Sequence, residues 1–213
     1  TGWIRGDLVE LSIDCAQFTF ISEDEVGPDA KPPIISNKFP LPVDGAITTP
    51  YTRSHRGLDL AAPMGTQLLA AADGLCIRRI DCEACTEDRP NVQPRPGVGC
   101  PELFKRKDWG FGYGNFLVIR HNYEVLPPAL RAEMDKQNLT GGFAYVLYAH
   151  MSRLDVNIGD PVKQGQPIGL TGNHGCSSGP HLHFEVRIGK DETVDGRWLN
   201  QTPVNPNLMF VVD

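Results

Sequence analysis

Two histidines stand two positions apart in the stretch 179–188, which reads Gly-Pro-His-Leu-His-Phe-Glu-Val-Arg-Ile. As a β-strand, this stretch alternates between an apolar face and a polar face. His181 and His183 lie on the polar face with Glu185 and Arg187, so both imidazoles can serve one site. One imidazole can bind a metal ion while the other contacts a water at that metal. We therefore expect the site to form around this strand.

His55 and Asp59 are a second candidate group, because they stand four residues apart with Gly57 between them. Imidazole and carboxylate both bind zinc, and three protein ligands with an open fourth position are typical of catalytic zinc. His150 ends an apolar, β-prone run and is a third candidate. Each pattern alone has an ordinary explanation, such as a hydrogen-bonded core histidine. Together they favour metal chemistry without naming the reaction.

The segments that position these residues read mainly as short strands joined by glycine-rich turns. Alternation predicts a strand at 115–121, and the apolar, β-prone run 143–149 is a further strand candidate. Short strands are also predicted at 67–72 and 75–80. Asp73-Gly74 predicts a hairpin between these two short strands. A short surface helix is predicted at 127–138, where Leu130 and Met134 stand four positions apart. His121 ends a strand and is interpreted as structural.

The composition supports a β-rich domain with two insertions, at 81–109 and 122–142. The chain has 213 residues, 40% of them hydrophobic, with 22 glycines and 18 prolines, which favours strands and loops over helices. We expect an N-terminal extension at 1–38 (a strand at 8–15 and a linker at 22–36), a main domain at 39–190 and a tail at 191–213.

Charge and hydropathy exclude two classes of partner. The net charge of -6 argues against binding to nucleic acid or to an anionic membrane surface. No run approaches the roughly 20 apolar residues of a membrane span. The chain starts at Thr1 without a signal peptide, so we expect a processed or shortened chain, and we expect it to act as a monomer.

The cysteines allow three interpretations. The chain contains six, at the positions listed here: Cys15, Cys76, Cys82, Cys85, Cys100 and Cys176. Disulfides would indicate an oxidising compartment, but the residues could also be reduced thiols or, through Cys82-x-x-Cys85, part of a structural zinc site. We expect at least one disulfide to tie the 81–109 insertion to the domain, with Cys76 as a candidate partner.

The motifs together resemble the lysostaphin-type, LytM-like zinc endopeptidases, which form family twenty-three of the metallopeptidases. The matching stretches cover much of residues 39–188, in order, and are interrupted by the two insertions. They are 55–63 (His-Arg-Gly-Leu-Asp-Leu-Ala-Ala-Pro) with Gly65, 71–74 (Ala-Ala-Asp-Gly), 112–121 (beginning Gly-Tyr-Gly-Asn), 148–152 (Tyr-Ala-His-Met-Ser), the glycine-rich 156–169, 172–175 (Gly-Asn-His-Gly), and 178–185 (Ser-Gly-Pro-His-Leu-His-Phe-Glu).

This resemblance implies an antiparallel β-sheet core, a duplicated hybrid motif, with the site in a groove over it. It implies that the protein is a zinc-dependent endopeptidase, active outside the cytoplasm on the peptide stems or cross-bridges of peptidoglycan. The implied zinc ligands are His55, Asp59 and His183. His150 and His181 would then stand beside the metal-bound water and act on it and on the oxyanion. Asn115 is either a substrate contact or a turn-forming residue.

The chain departs from the family pattern at His174, where the family commonly has threonine, and at Cys176 beside the site. We expect His174 to lie at the surface or on the substrate side, not to bind metal. Two alternatives remain: a non-catalytic, zinc-bearing module that binds peptidoglycan or activates another hydrolase, and a wall-degrading structural component of a phage particle.

Overall fold

A computed structural model describes residues 39–192 and 199–210 of the protein. The expectations for the extension at 1–38, with its strand at 8–15 and its linker at 22–36, lie outside the described residues. Part of the tail at 191–213 lies outside them as well. No helix within the two described ranges is long and apolar enough to cross a membrane.

The main layer is an antiparallel sheet of eight strands. The strands of this sheet are β1 Ala46–Thr49, β2 Leu58–Ala61, β4 Gly74–Ile80, β6 Asn115–Asn122, β7 Phe143–Met151, β9 Pro161–Val162, β12 His181–Gly189 and β13 Thr202–Val204. Their order in the sheet is β1-β2-β12-β7-β6-β4-β9, and β13 pairs with β12 beyond the end of β2. The predicted mainly antiparallel β fold is thus confirmed.

Two smaller sheets complete the strands that the structure describes. One is antiparallel, in the order β3-β10-β8, and the other is a parallel pair of β5 and β11. Their bounds are β3 Gln67–Leu69, β5 Asn91–Val92, β8 Arg153–Leu154, β10 Pro167–Leu170 and β11 Gly175–Cys176. The helical elements are α1 Pro128–Lys136 and the 3-10 helices Lys107–Gly112, Tyr123–Val125 and Pro206–Met209.

The alternation of β12 decides which of its faces carries the site. Its apolar residues Leu182, Phe184, Val186 and Ile188 are all buried in the main hydrophobic core. Helix α1 lies in the 122–142 insertion and contributes Leu130 and Met134 to the same core, as their spacing predicts. The polar side chains of β12 therefore point away from this core.

The predicted hairpin at Asp73-Gly74 is wrong. β3 pairs with β10 in the small sheet, whereas β4 pairs with β6 and β9 in the main sheet. The Asp73 carboxylate instead accepts from the Gln164 backbone N–H at 2.8 Å and pairs with Lys163 at 2.9 Å. A Cβ at Gly74 would lie 2.6 Å from the His121 ring, so close strand packing accounts for this glycine.

Two disulfides lie in or reach the 81–109 insertion, which confirms that a disulfide ties it to the domain. Cys82 is bonded to Cys85, and Cys100 is bonded to Cys176. The first pairing excludes the alternative of a Cys-x-x-Cys zinc site. Cys76 is not the partner: it is a free thiol, fully buried in β4, and burial raises its pKa to about 11.

Candidate metal centre and active site

Asp59 and His183 are direct cross-strand partners of β2 and β12. Residues opposite each other in an antiparallel pair project from the same face, so the two side chains meet. The Nδ1 atom of His183 lies 2.8 Å from Oδ1 of Asp59. Asp59 and His183 are 124 positions apart in the sequence, so their contact follows from the register of the sheet and not from a local sequence pattern.

His55 reaches the same carboxylate from the turn before β2. Its backbone N–H donates to Oγ1 of Thr52 at 2.9 Å, which fixes the turn. Its ring Nδ1 lies 3.2 Å from the Pro50 carbonyl, so a proton on Nδ1 would be donated there. This leaves the Nε2 lone pair facing Oδ1 of Asp59 at 3.2 Å.

These three residues form one cluster of potential metal ligands. One donor atom from each of His55, Asp59 and His183 lies within 4.8 Å of the other two. Burial alone would raise the pKa of Asp59, but its hydrogen bonds with His183 and His55 hold that pKa far below its usual range. The carboxylate is therefore ionised at neutral pH, and its charge favours a cation among the three donors.

A buried polar chain supports His183 from behind. The Nε2 atom of His183 lies 3.7 Å from Oε2 of Glu185, which also accepts from the Tyr113 hydroxyl at 3.1 Å. Oε1 of Glu185 accepts from Arg187 at 2.6 Å. Burial alone would lower the pKa of His183, but the carboxylates of Asp59 and Glu185, which accept from its ring, raise that pKa to about 9.

Glu185, Arg187 and Tyr113 are thus site residues to which the sequence pattern assigned no role. The pattern did place the first two on the histidine face of β12. Carboxylates that hold the second nitrogen of a ligating histidine fix its orientation and raise its basicity. A proton on Nε2 of His183 bonded to Glu185 would leave Nδ1 with the lone pair that a metal requires.

His150 and His181 stand beside the cluster with ring centroids 4.7 Å apart. Nδ1 of His150 lies 2.7 Å from the His174 carbonyl, and Nδ1 of His181 lies 2.8 Å from the Gly179 carbonyl. Each carbonyl accepts an Nδ1–H, which leaves Nε2 as the free nitrogen. Burial lowers the pKa of both residues, so both imidazoles are neutral at neutral pH.

A β-bulge brings His150 to this face of the sheet. The β6–β7 register shifts between Asn115 and Leu117, so two residues of β7 oppose one residue of β6. His150 lies in this bulge with φ of 62°, in the left-handed region that few non-glycine residues adopt. Regular alternation would have placed it on the opposite face, with Tyr148 in the main core.

Close packing against His183 explains why position 57, between His55 and Asp59, is a glycine. A Cβ on Gly57 would lie 2.6 Å from Nε2 of His183. Any other residue would push this ring away from the cluster. The glycine therefore permits His55 in the turn, Asp59 on β2 and His183 on β12 to approach one another.

Asn115 is tied into the protein rather than turned toward a substrate. Its Oδ1 accepts from the Cys82 backbone N–H at 2.6 Å. Its Nδ2 lies 3.0 Å from the Met151 carbonyl and 2.7 Å from Nδ1 of His174. Both ends of the amide thus have protein partners, which suits a structural role, and contact of Asn115 with a substrate stays a prediction.

The two remaining histidines lie outside the ligand cluster. His174 is half-buried, and its ring contacts Asn115. His121 is fully buried, and its Nδ1 lies 2.9 Å from the Asp73 carbonyl.

The cluster opens into a groove of about 360 Å³. Ser54 and Arg56 line it on the His55 side, and Pro94 and Phe104 of the 81–109 insertion line it as well. The Phe104 side chain is 57% exposed, so it offers an apolar surface to any molecule in the groove. The volume suits a segment of peptide rather than a single small ion.

The profile described as peptidase family M23 matches residues 136–206, which include His150, His181 and His183. The chain is 32% identical over 154 residues to the DD-carboxypeptidase/endopeptidase Mpg of Neisseria meningitidis serogroup B, covering 72% of this chain and 22% of that protein. This chain belongs to peptidase family M23. The family resemblance of the motifs is thereby confirmed.

The chain is also similar to a longer curated protein and to a solved catalytic domain. It is 28% identical over 147 residues to the peptidoglycan DD-endopeptidase ShyC of Vibrio cholerae, covering 69% of this chain and 22% of that protein. It is similar to the catalytic domain of lysostaphin from Staphylococcus simulans, with a TM-score of 0.43 and 22% identity over 76% of this chain and 86% of that one. The chain thus spans about a quarter of the curated relatives that it matches.

The residues of this M23 domain fit a divalent metal. The donor set is two imidazoles and one carboxylate, a combination that suits zinc. The other nitrogen of each imidazole faces an oxygen, at Pro50 for His55 and at Glu185 for His183. Both imidazoles are thus held in fixed orientations on either side of an ionised carboxylate, which favours the binding of a divalent metal ion.

Proposed function

We propose that this domain is a zinc-dependent endopeptidase that hydrolyses the peptide stems or cross-bridges of bacterial peptidoglycan. The observation that carries the proposal is the cluster of His55, Asp59 and His183 beside two further neutral imidazoles in one groove. Relatives named as peptidoglycan DD-endopeptidases support cleavage of a bond between D-configured residues.

The metal would be held by Nε2 of His55, the carboxylate of Asp59 and Nδ1 of His183. Bound there, zinc supplies Lewis acidity, which activates a water and polarises the scissile carbonyl. Glu185 keeps the His183 ring in the required tautomer. Tyr113 and Arg187 in turn keep Glu185 in place.

His150 and His181 would move protons at their free Nε2 atoms. One of them accepts the proton lost by the attacking water and passes it to the leaving amine. The other takes up a proton from solvent at its Nε2 and with it donates a hydrogen bond to the oxyanion of the tetrahedral intermediate. Their backbone-bonded Nδ1 atoms hold both rings in the orientation that these transfers require.

The two disulfides support a location outside the cytoplasm, because disulfides persist in oxidising compartments. This agrees with a substrate in the cell wall. The constellation of five site residues favours a catalytic domain over a module that only binds peptidoglycan.

The test separates ligands from proton-transfer residues. His55→Ala, Asp59→Ala and His183→Ala should each release most of the zinc and abolish cleavage. His150→Ala and His181→Ala should keep about one zinc per chain, while cleavage slows by about 10²–10⁴-fold. Zinc content is measured by elemental analysis, and cleavage by mass analysis of digested cross-linked muropeptides.

His121→Gln is the matched control, because it changes a histidine of the same sheet that lies outside the cluster. It should keep both zinc and activity. Loss of zinc from His181→Ala with retention in His183→Ala would reverse the proposed roles within the pair. A wild-type protein that binds peptidoglycan without producing new amino termini would favour the non-catalytic module instead.

A further inference from the structure

The segment 174–177 contacts both of the histidines that lie beside the ligand cluster. Its His174 carbonyl lies 2.7 Å from Nδ1 of His150. Its Ser177 hydroxyl lies 3.3 Å from Nδ1 of His181. The Ser177 hydroxyl also donates at 3.0 Å to the Gly179 carbonyl, which is the 2.8 Å partner of the same His181 nitrogen. The position of this segment therefore acts directly on the His150 ring and, together with Gly179, on the His181 ring.

The 81–109 insertion holds this segment in place. β11 (Gly175–Cys176) pairs in parallel with β5 (Asn91–Val92) of the insertion. The flanking backbone bonds run from Gly175 N–H to the Pro90 carbonyl at 3.0 Å and from Ser177 N–H to the Val92 carbonyl at 3.3 Å. A pair of two-residue strands is too short to be stable by itself. The Cys100–Cys176 disulfide adds the covalent link at the same point.

The second disulfide of the insertion does not reach this segment. Cys82 and Cys85 are only three positions apart and close a small loop within the insertion. The Cys82 backbone N–H does bond to Asn115, but this contact does not involve the sulfur. The Cys82 and Cys85 side chains belong to the same hydrophobic cluster as Cys100 and Cys176, but they form no covalent bond to segment 174–177. Replacing them therefore disturbs the same insertion while the Cys100–Cys176 bond stays in place.

We propose that the Cys100–Cys176 disulfide is a positioning element of the active site, which orients His150 and His181 through segment 174–177. The insertion then helps to position the two histidines and does not merely line the groove. This inference rests on the proposed peptidase function. The three metal-binding candidates lie on β2, on β12 and in the turn before β2, so the disulfide should affect proton transfer more than metal binding.

The experiment compares Cys100→Ser/Cys176→Ser with Cys82→Ser/Cys85→Ser. In the first variant we expect kcat on a cross-linked muropeptide to fall about 10-fold or more, since small misplacements of catalytic groups are costly. Its KM should change less than kcat, and its zinc content should stay near one per chain. In the second variant kcat should stay within about twofold of the wild-type value.

A readout independent of activity is the NMR signal of the His150 Nδ1–H proton. Its protection from exchange with water should be lost in Cys100→Ser/Cys176→Ser and kept in Cys82→Ser/Cys85→Ser. If the wild-type protein fails to cleave peptidoglycan, the proposed function fails, but this signal still tests the positioning inference. Equal protection in both variants, or equal kcat, overturns the inference.

Reduction of the folded wild-type protein covers the case in which the first variant does not fold. Tris(2-carboxyethyl)phosphine supplies two electrons to the disulfide and becomes the phosphine oxide. Mass spectrometry after thiol alkylation shows when the Cys100–Cys176 bond is open, and circular dichroism shows that the sheet persists. Activity should fall on reduction and return once the phosphine is removed and oxidised glutathione, the two-electron oxidant, re-forms the bond. Unchanged activity with the bond open contradicts the proposal.

Discussion

At the scale of single residues, the site depends on which ring nitrogen each histidine has free. His55, His150 and His181 each place Nδ1 against a backbone carbonyl, and His183 places Nε2 near Glu185. The remaining nitrogens of His55 and His183 therefore face the Asp59 carboxylate. Those of His150 and His181 are not taken up by the backbone carbonyls. Burial keeps His150 and His181 neutral by lowering their pKa values, which a proton acceptor requires.

Glu185→Gln should weaken zinc binding by about 10–100-fold, the usual cost of losing the partner of a ligating histidine. The amide keeps the size of the side chain but removes the charge that favours the required His183 tautomer, and it leaves Arg187 buried without its carboxylate. The zinc dissociation constant is measured by competition with a chromogenic chelator.

Glu102→Gln is the control, since Glu102 pairs with Arg95 at an exposed position. Exposed ion pairs contribute little to stability, so this change should leave zinc affinity as it is. An unchanged zinc affinity in Glu185→Gln would show that the carboxylate does not support His183.

At the scale of elements, the β7 bulge is the feature on which the site depends. Bulges re-aim side chains near active sites. This one turns His150 out of the core face and toward His181. The left-handed backbone of His150 is a conformation that a non-glycine residue adopts at a cost, which the neighbouring strands must offset.

His150→Gly should be more stable than His150→Val by about 1–2 kcal/mol, because glycine adopts positive φ without the steric penalty of a side chain. For a domain of this size, the difference corresponds to a shift of several degrees in Tm. Thermal unfolding followed by circular dichroism measures it, and both variants should cleave as slowly as His150→Ala does.

The same pair of substitutions at Ile47 should give the reverse order. Ile47 is an exposed residue of β1 and does not have a positive φ angle. At such a strand position valine is favourable and glycine is destabilising. If valine were the more stable substitution at both positions, the bulge would not constrain residue 150.

The packing of the strands also determines which cysteines form a disulfide. The Cys100–Cys176 bond closes a loop of 76 residues, which stabilises the folded chain by about 4 kcal/mol on the loop-entropy scale. Cys76, although closer to the insertion in sequence, points into the core from β4 and cannot take part. A disulfide partner follows from where the strands bring the chain, not from sequence distance.

At the scale of the whole molecule, the stability of the domain should depend on pH through a histidine far from the chemistry. His121 is fully buried in β6, and burial lowers its pKa to about 4. The unfolded chain binds a proton at this residue below about pH 6.5. The folded chain does so only near pH 4, so acid favours the unfolded state.

We expect the free energy of unfolding of the wild type to fall between pH 6.5 and pH 4, with His121 contributing up to about 3 kcal/mol of the loss. His121→Gln keeps a donor for the Asp73 carbonyl but does not titrate, so its stability should fall less over this range. Urea unfolding of both proteins at pH 7 and pH 4 provides the measurement. Equal losses in the two proteins would mean that His121 is not responsible.

The sequence by itself determined the elements whose patterns are local. Period-2 alternation identified β6 and β12, and the spacing of Leu130 and Met134 identified α1, because burial on one face gives the sequence a periodic pattern. The apolar, β-prone run 143–149 identified β7, which is buried on both faces. The order of the motifs also identified the family, and with it a set of candidate ligands. These candidates lie together in the structure, while their roles as ligands and proton carriers stay predictions.

Only the tertiary structure decided the features that depend on long-range pairing. The Asp73-Gly74 turn has the residues of a hairpin, yet β3 and β4 enter different sheets. Alternation would put His150 in the core, but a register shift against β6 turns it to the site. The partners of Asn115, Glu185 and Cys176 likewise come from distant segments. Local patterns report which residues are buried, whereas register and strand order depend on the free energy of the whole packed chain.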